Sequence, residues 1–208
     1  MDAFLVRKDE KTRLGNTHRF YVSPDTVFRN DGLKDLELTK GDSVKIAAFD
    51  LDGTLIHTRS KSAFAKDSQD WEPFSDEVKP KLKALHDEGY VIVIFTNQKG
   101  LTSTRFPISV ADFKTKMRSI VSLFDVPIAV YAAMERDRYR KPNTGMFRML
   151  KRDLRKLGVS ISETCVFVGD AAGRPKDHSA DDKGLWENIV KETNVQWGFR
   201  VPEDFWTN

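Results

Sequence analysis

The apolar run "VKIAAF" (44–49) leads straight into two aspartates, Asp50 and Asp52, within "AAFDLDGTLI". Burying an ionised carboxylate costs several kcal/mol, roughly, unless a cation or hydrogen bonds compensate it. A fold that uses 44–49 as a core strand must therefore end that strand at an edge where charge is balanced. Parallel sheets covered by helices have such an edge, because their ligands sit at the carboxyl ends of the strands.

The rest of the chain repeats this pattern. "YVIVIF" (90–95), "PIAVYAA" (127–133) and "TCVFVG" (164–169) read as further buried strands. Helical spacing predicts helices between them. In "VKPKLKALHDEGY" (78–90), Val78, Leu82 and Leu85 share a face and Gly89 is a stop. In "SVADFKTKMRSIVSLF" (109–124), Ser109 and Asp112 have capping-box spacing, and Phe113, Met117, Ile120, Val121 and Phe124 face inward. "TGMFRMLKRDLRKLG" (144–158) turns Phe147, Leu150, Leu154 and Leu157 inward, and "DKGLWENIV" (182–190) closes the series. Strand and helix alternating at this spacing predict an α/β fold: a three-layer, Rossmann-like parallel sheet. The domain is expected over 44–208. Residues 1–43 are read as an N-terminal extension that can add strands.

Each expected strand is followed by a polar signature: "DLDGT", "TNQKG" (96–100), "YRKPNTG" (139–145) and "GDAAGRPKD" (169–177). Any one of them is an ordinary turn sequence. Four in series on one predicted edge are a site. Composition limits what that site serves. A net charge of +3 is too small to imply a polyanionic partner by itself. A single cysteine, Cys165, permits no internal disulfide and fits a reducing compartment; lying in an apolar strand, it reads as an inert core thiol. No apolar run nears the ~20 residues that span a bilayer, so no membrane is expected. The start, "MDAFLVRKDEKTR", has neither the apolar stretch of a signal peptide nor the acid-poor composition of a transit peptide.

The four signatures resemble the motifs of the haloacid dehalogenase superfamily, whose phosphatases work through an aspartyl-phosphate and Mg2+. The likeness narrows with "AAFDLDGTLIHTRS", "EGYVIVIFTNQKG", "YRKPNTGM", "VFVGDAAGR" and the terminal "PEDFW". Together they resemble the phosphatase domain of the polynucleotide kinase 3′-phosphatase family over roughly 44–206. The resemblance implies removal of 3′-phosphates from DNA ends in strand-break repair, a monomer, DNA-repair proteins as partners, and a nuclear location with mitochondrial DNA an open alternative. No G-x-x-x-x-G-K-[ST] motif occurs, so no 5′-kinase is expected in this chain, nor is there room for the N-terminal phosphopeptide-binding module.

On this resemblance Asp50 is the nucleophile and Asp52 the acid, then base. The presence of Asp52 favours a phosphatase over a dehalogenase or ATPase. Thr96 hydrogen-bonds the phosphoryl oxygens and Lys141 neutralises Asp50 and the transferring group. Thr54 orients Asp52; Thr54 and Asn97 are placed with the substrate-binding residues. Mg2+ is expected on the Asp50 carboxylate, the Asp52 carbonyl and Asp170, supported by Asp177, with Asp181 and Asp182 the other candidates for that second acid. Arg140, Arg174, Lys99 and Arg105 are candidates for a basic rim on a DNA backbone. The other basic residues of 136–156, such as Arg148, Lys151, Arg152 and Arg155, read as a solvated helix face.

The four tryptophans, Trp71, Trp186, Trp197 and Trp206, are expected in the core, with Trp71 the one weighed for base stacking. His57 reads as a turn or rim residue, and His18, His86 and His178 lack metal-ligand spacing. Two other functions fit less well: a sugar or histidinol phosphate phosphatase on the same fold, and a DNA-end-binding adaptor without catalysis, against which the intact motif set argues.

Overall fold

The computed structural model describes residues 19–23, 27–102, 108–193 and 195–207. Its strands are β1 (Tyr21–Val22), β2 (Val27–Arg29), β3 (Ser43–Phe49), β4 (Ile56–His57), β5 (Glu72–Pro73), β6 (Tyr90–Asn97), β7 (Ile128–Ala133), β8 (Ser160–Ile161), β9 (Cys165–Val168) and β10 (Trp197–Arg200). Its α-helices are α1 (Val78–Asp87), α2 (Val110–Phe124), α3 (Gly145–Lys156), α4 (Asp181–Thr193) and α5 (Pro202–Trp206). The main sheet runs β1-β2-β7-β6-β3-β9-β10, with β8 adding to β3. It is parallel from β7 to β10 and antiparallel at the β1–β2–β7 edge. β4 and β5 form a separate small ribbon.

Period-two alternation builds the two outer layers. In β3, Ala47 and Phe49 join the core under α1 and α2, whereas Val44, Ile46 and Ala48 join the core under α3 and α4. In β6, Ile92 and Ile94 take the first side and Val91, Val93 and Phe95 the second. A strand covered on both faces must be apolar at every position, which is why these runs are continuous. Phe49, Ile94 and Phe95 are fully buried, each worth roughly 1.5–3 kcal/mol over an exposed position.

Local signals set the helix ends. The Ser109 hydroxyl accepts from Asp112 N at 3.2 Å and the Asp112 carboxylate accepts from Ser109 N at 3.1 Å, the expected capping box. Gly89 adopts a φ of 85°, which only glycine takes without strain. Val27, Phe28, Leu33 and Leu36, from before the expected domain start, join the same core. Val27 and Phe28 are fully buried, and Asn30 bonds both Ile128 O (2.8 Å) and Val130 N (2.9 Å). Among the described residues no helix is long and apolar enough to cross a membrane. The Cys165 thiol accepts from Ile46 N at 3.3 Å, and burial pushes it up to about 11, as suits an inert core thiol.

Candidate active site

Four strand ends converge as the sequence requires. Asp50 follows β3 and its N–H donates to Val168 O at 2.9 Å, which fixes it against the end of β9. The chain then turns on itself: Leu55 N and Ile56 N both donate to Leu51 O, at 3.0 and 3.1 Å. Gly53 takes a φ of 83° in this turn, and a Cβ there would stand 2.6 Å from Asp170 Oδ2. Only glycine lets the first and fourth signatures approach this closely.

The two aspartates end in opposite environments. Asp50 is buried, and its Oδ1 accepts from Lys141 Nζ at 2.5 Å. Lys141 is itself 3% exposed and makes a second ion pair, 2.7 Å to Asp182 Oδ1. Asp52 has a side chain 51% exposed. It accepts from Gln98 Nε2 at 2.7 Å on Oδ2 and from Lys116 Nζ at 3.2 Å on Oδ1. Gln98 Nε2 also donates to Thr96 Oγ1 at 3.0 Å, and Thr96 is buried at the end of β6.

Asp50, Asp170 and Asp182 form a carboxylate cluster whose oxygens lie within 4.8 Å of one another. Burial pushes Asp50 well above the usual carboxylate range; Lys141 opposes this, while Asp182 and Asp170 add to it. Burial also raises Asp170, reinforced by Asp182. Burial pulls Lys141 down, but Asp182 and Asp50 outweigh it and hold the ammonium above its ordinary value. Three carboxylates against one ammonium leave the cluster with excess negative charge. Asp170 Oδ1 is buried and has no hydrogen-bond partner among the described residues. An all-oxygen donor set with surplus negative charge and an unsatisfied oxygen fits a hard divalent cation.

Several expected residues sit elsewhere. Asp177 is not in the cluster. It accepts from Ala172 N and Arg174 N, both at 3.0 Å, and its hydrogen bond to the Arg174 side chain holds it down at about 2. Asp182 takes the second acid's place, and a Cβ on Gly169 would stand 2.5 Å from its Cγ. Arg174 is engaged by Asp177 (3.0 Å), Glu203 (3.1 Å) and Asp170 O (3.2 Å), so it braces the fourth loop. Thr54 is fully buried and accepts from Asp170 N at 3.2 Å, so it ties the first signature to the fourth, and no hydrogen bond from it to the Asp52 carboxylate is seen among the described residues. Asn97 clamps the Lys141 peptide: Oδ1 accepts from Lys141 N (2.9 Å) and Nδ2 donates to Lys141 O (3.2 Å).

Arg140 lies half-buried beside Lys141 and Lys99 in the short turn Lys99–Thr102, while Arg105 and His18 fall outside the described residues. A groove of about 670 Å³ between α3 and α4 is lined by Arg138, Arg148, Arg152 and Lys191, but Arg148 is paired there with Glu192 at 2.9 Å. Trp71, Trp197 and Trp206 are buried, the last stacked on Phe49 at 5.6 Å. His57 pairs with Glu72 at 2.8 Å on the β4–β5 ribbon, and His178 stands 3.9 Å from Asp170 at the exposed rim. Motif spacing alone does not mark Gln98 or Lys116 for the site, although Lys116 falls on the apolar face of its helix, three residues from Phe113 and four from Ile120.

Residues 45–206 match the family model described as polynucleotide kinase 3 phosphatase. The chain belongs to that family. It is 44% identical over 162 residues to a bifunctional polynucleotide phosphatase/kinase of Schizosaccharomyces pombe, covering 77% of this chain and 37% of that one. It is 36% identical over 167 residues to the polynucleotide 3′-phosphatase ZDP of Arabidopsis thaliana, covering 74% and 22%. The chain thus spans well under half the length of these two relatives. Among solved structures it is similar to a HAD-like phosphatase from Mesorhizobium loti (TM-score 0.55, 19% identity, 79% and 78% covered). It is also similar to the D,D-heptose 1,7-bisphosphate phosphatase of B. bronchiseptica, solved with magnesium and phosphate (TM-score 0.50, 20% identity, 76% and 92% covered). These likenesses place the chain on the fold of HAD-like phosphatases, as its motif order predicted.

Proposed function

We propose that this chain is a Mg2+-dependent polynucleotide 3′-phosphatase that clears 3′-phosphates from DNA strand-break ends. One observation carries the chemistry. Asp50 and Asp52, two residues apart, are divided into a buried carboxylate held by Lys141 and a half-exposed one at the mouth. That division suits a nucleophile and an acid/base.

Asp50 attacks phosphorus as the bond from phosphorus to O3′ breaks, and Asp52 gives its proton to O3′. Water then attacks the aspartyl-phosphate, Asp52 takes a proton from that water, and Asp50 is released with inorganic phosphate. Lys141 balances the charge that grows on the transferring group. Asp50, Asp170 and the Asp52 carbonyl, backed by Asp182, would hold Mg2+, which when bound screens the phosphate dianion from the carboxylates. Thr96 lies beside Asp52 through Gln98 and is suited to a phosphoryl oxygen.

The polynucleotide substrate is supported by family membership and by Arg140 next to Lys141. Action as a monomer, alongside repair proteins, on nuclear DNA completes the reading. A substrate panel in Mg2+ tests it, comparing a 3′-phosphorylated oligonucleotide, its 5′-phosphorylated isomer and heptose or other sugar phosphates. The expected result is rapid formation of 3′-hydroxyl ends with little release from the others. Preference for the sugar phosphates would replace this reading with a small-molecule phosphatase. Tight end-binding without turnover would leave an adaptor.

A further inference from the structure

We propose that Lys116 is a positioning residue for Asp52, one that sets the acid/base carboxyl in place for both halves of the phosphatase reaction proposed above, on which this inference rests. The geometry makes the case. Lys116 projects from α2 among Phe113, Met117 and Ile120, and its side chain is only 4% exposed. A lysine on the apolar face of a helix normally runs its stem along the surface and keeps its ammonium in water. Lys116 instead ends 3.2 Å from Asp52 Oδ1. The partner, at 51% exposed, gains little from being paired for stability alone, because ion pairs with exposed groups are worth little.

A nearly buried cation directed at a half-exposed carboxylate is better suited to orientation. Gln98 Nε2 holds the other oxygen, Oδ2, at 2.7 Å and reaches Thr96 Oγ1 at 3.0 Å. Asp52 is thus held at both oxygens, by one donor from α2 and one from the end of β6. Lys116 fixes Oδ1, which leaves Oδ2 to exchange the proton with O3′ and then with the attacking water. Lys116 can stay bonded through that cycle, since Oδ1 accepts whether or not Oδ2 carries the proton, while Gln98 keeps its bond to Oδ2 when that oxygen is ionised.

Two substrates with different leaving groups separate this role from a structural one. Expulsion of O3′ needs a proton, whereas p-nitrophenolate leaves without one. Hydrolysis of the aspartyl-phosphate needs the base with either substrate. Lys116→Met, which fills the same apolar space, is expected to lower kcat on a 3′-phosphorylated oligonucleotide about 10²-fold, with KM little changed. On p-nitrophenyl phosphate the same variant should release one equivalent of p-nitrophenolate at the wild-type rate and then turn over slowly. Lys116→Arg, which keeps the charge and the reach, should recover most of the oligonucleotide activity.

The inference is overturned if Lys116→Met cleaves the oligonucleotide as fast as wild type. It is also overturned if Lys116→Met loses the p-nitrophenolate burst together with turnover, or if Lys116→Arg is as impaired as Lys116→Met. Wild-type protein inactive on both phosphomonoesters instead overturns the phosphatase reading, and this inference with it.

Discussion

Replacing Asp50 with asparagine is expected to abolish phosphate release from a 3′-phosphorylated oligonucleotide, by at least about 10⁴-fold, without loosening the fold. Loss of activity follows from removing the proposed nucleophile. The expected stability effect has a less familiar sign. Asp50 is buried beside Asp170 and Asp182, with Lys141 as the cluster's ammonium. Its pKa is raised, chiefly by burial. A carboxyl whose folded pKa lies above its unfolded value favours folding at low pH, and that contribution is lost as pH rises through the folded pKa. In chelator, Asp50→Asn should therefore melt no lower than wild type at neutral pH, and its melting temperature should fall less as pH rises. Thermal melts across the acid-to-neutral range, read beside phosphate release, check both halves. A variant that is inactive because it is unfolded would leave the nucleophile unassigned.

Lys141→Met is expected to lose activity too, by about 10²–10³-fold, but with the opposite effect on stability. It strands Asp50 and Asp182, both nearly fully buried, without their shared cation. Removing one partner of a buried pair typically costs about 3–5 kcal/mol. The Asp50 pKa, already raised by burial and held back by Lys141, rises further in this variant, so stability is kept at low pH and lost as pH climbs through the raised value. Denaturant titrations in chelator should show a defect that is large at neutral pH and small at acid pH. The two variants thus share a functional outcome and part in stability, a combination that a generic loss of packing would not produce.

The sequence carried the residues whose placement follows from the ends of buried strands. Asp50, Asp52 and Asp170 lie at or just past the carboxyl ends of apolar runs, Lys141 follows the third such run in the loop that leads to α3, and a parallel sheet brings such ends together. Asp182 was harder to place. It arrives through the first turn of α4, which packs back over Gly169, where the missing side chain makes room. Asp177 lies closer in sequence to Asp170, but it closes its own loop on Arg174. Thr54, Asn97 and Arg174 show a related limit. Polar residues at the edge were legible, yet their partners are backbone groups and loop acids, and those partnerships exist only once the loops meet.

Lys116 depends on packing as well, since only seating α2 in the core it shares with the sheet brings its ammonium to Asp52. The short "WGFR" of β10 and the "EP" of β5 carry no run long enough to read as strands. The N-terminal extension, read only as able to add strands, supplies the β1–β2 edge, which joins the parallel sheet antiparallel beside β7.

The central claim is that phosphate passes from DNA to Asp50. It is tested most directly by mixing the protein with an oligonucleotide bearing a radiolabelled 3′-phosphate in Mg2+, quenching in acid within the first turnover, and mapping the labelled peptide. The account predicts a hydroxylamine-labile label on the peptide containing Asp50, formed together with 3′-hydroxyl ends. Label on any other residue, or 3′-hydroxyl ends formed with no labelled protein at any quench time, would contradict it.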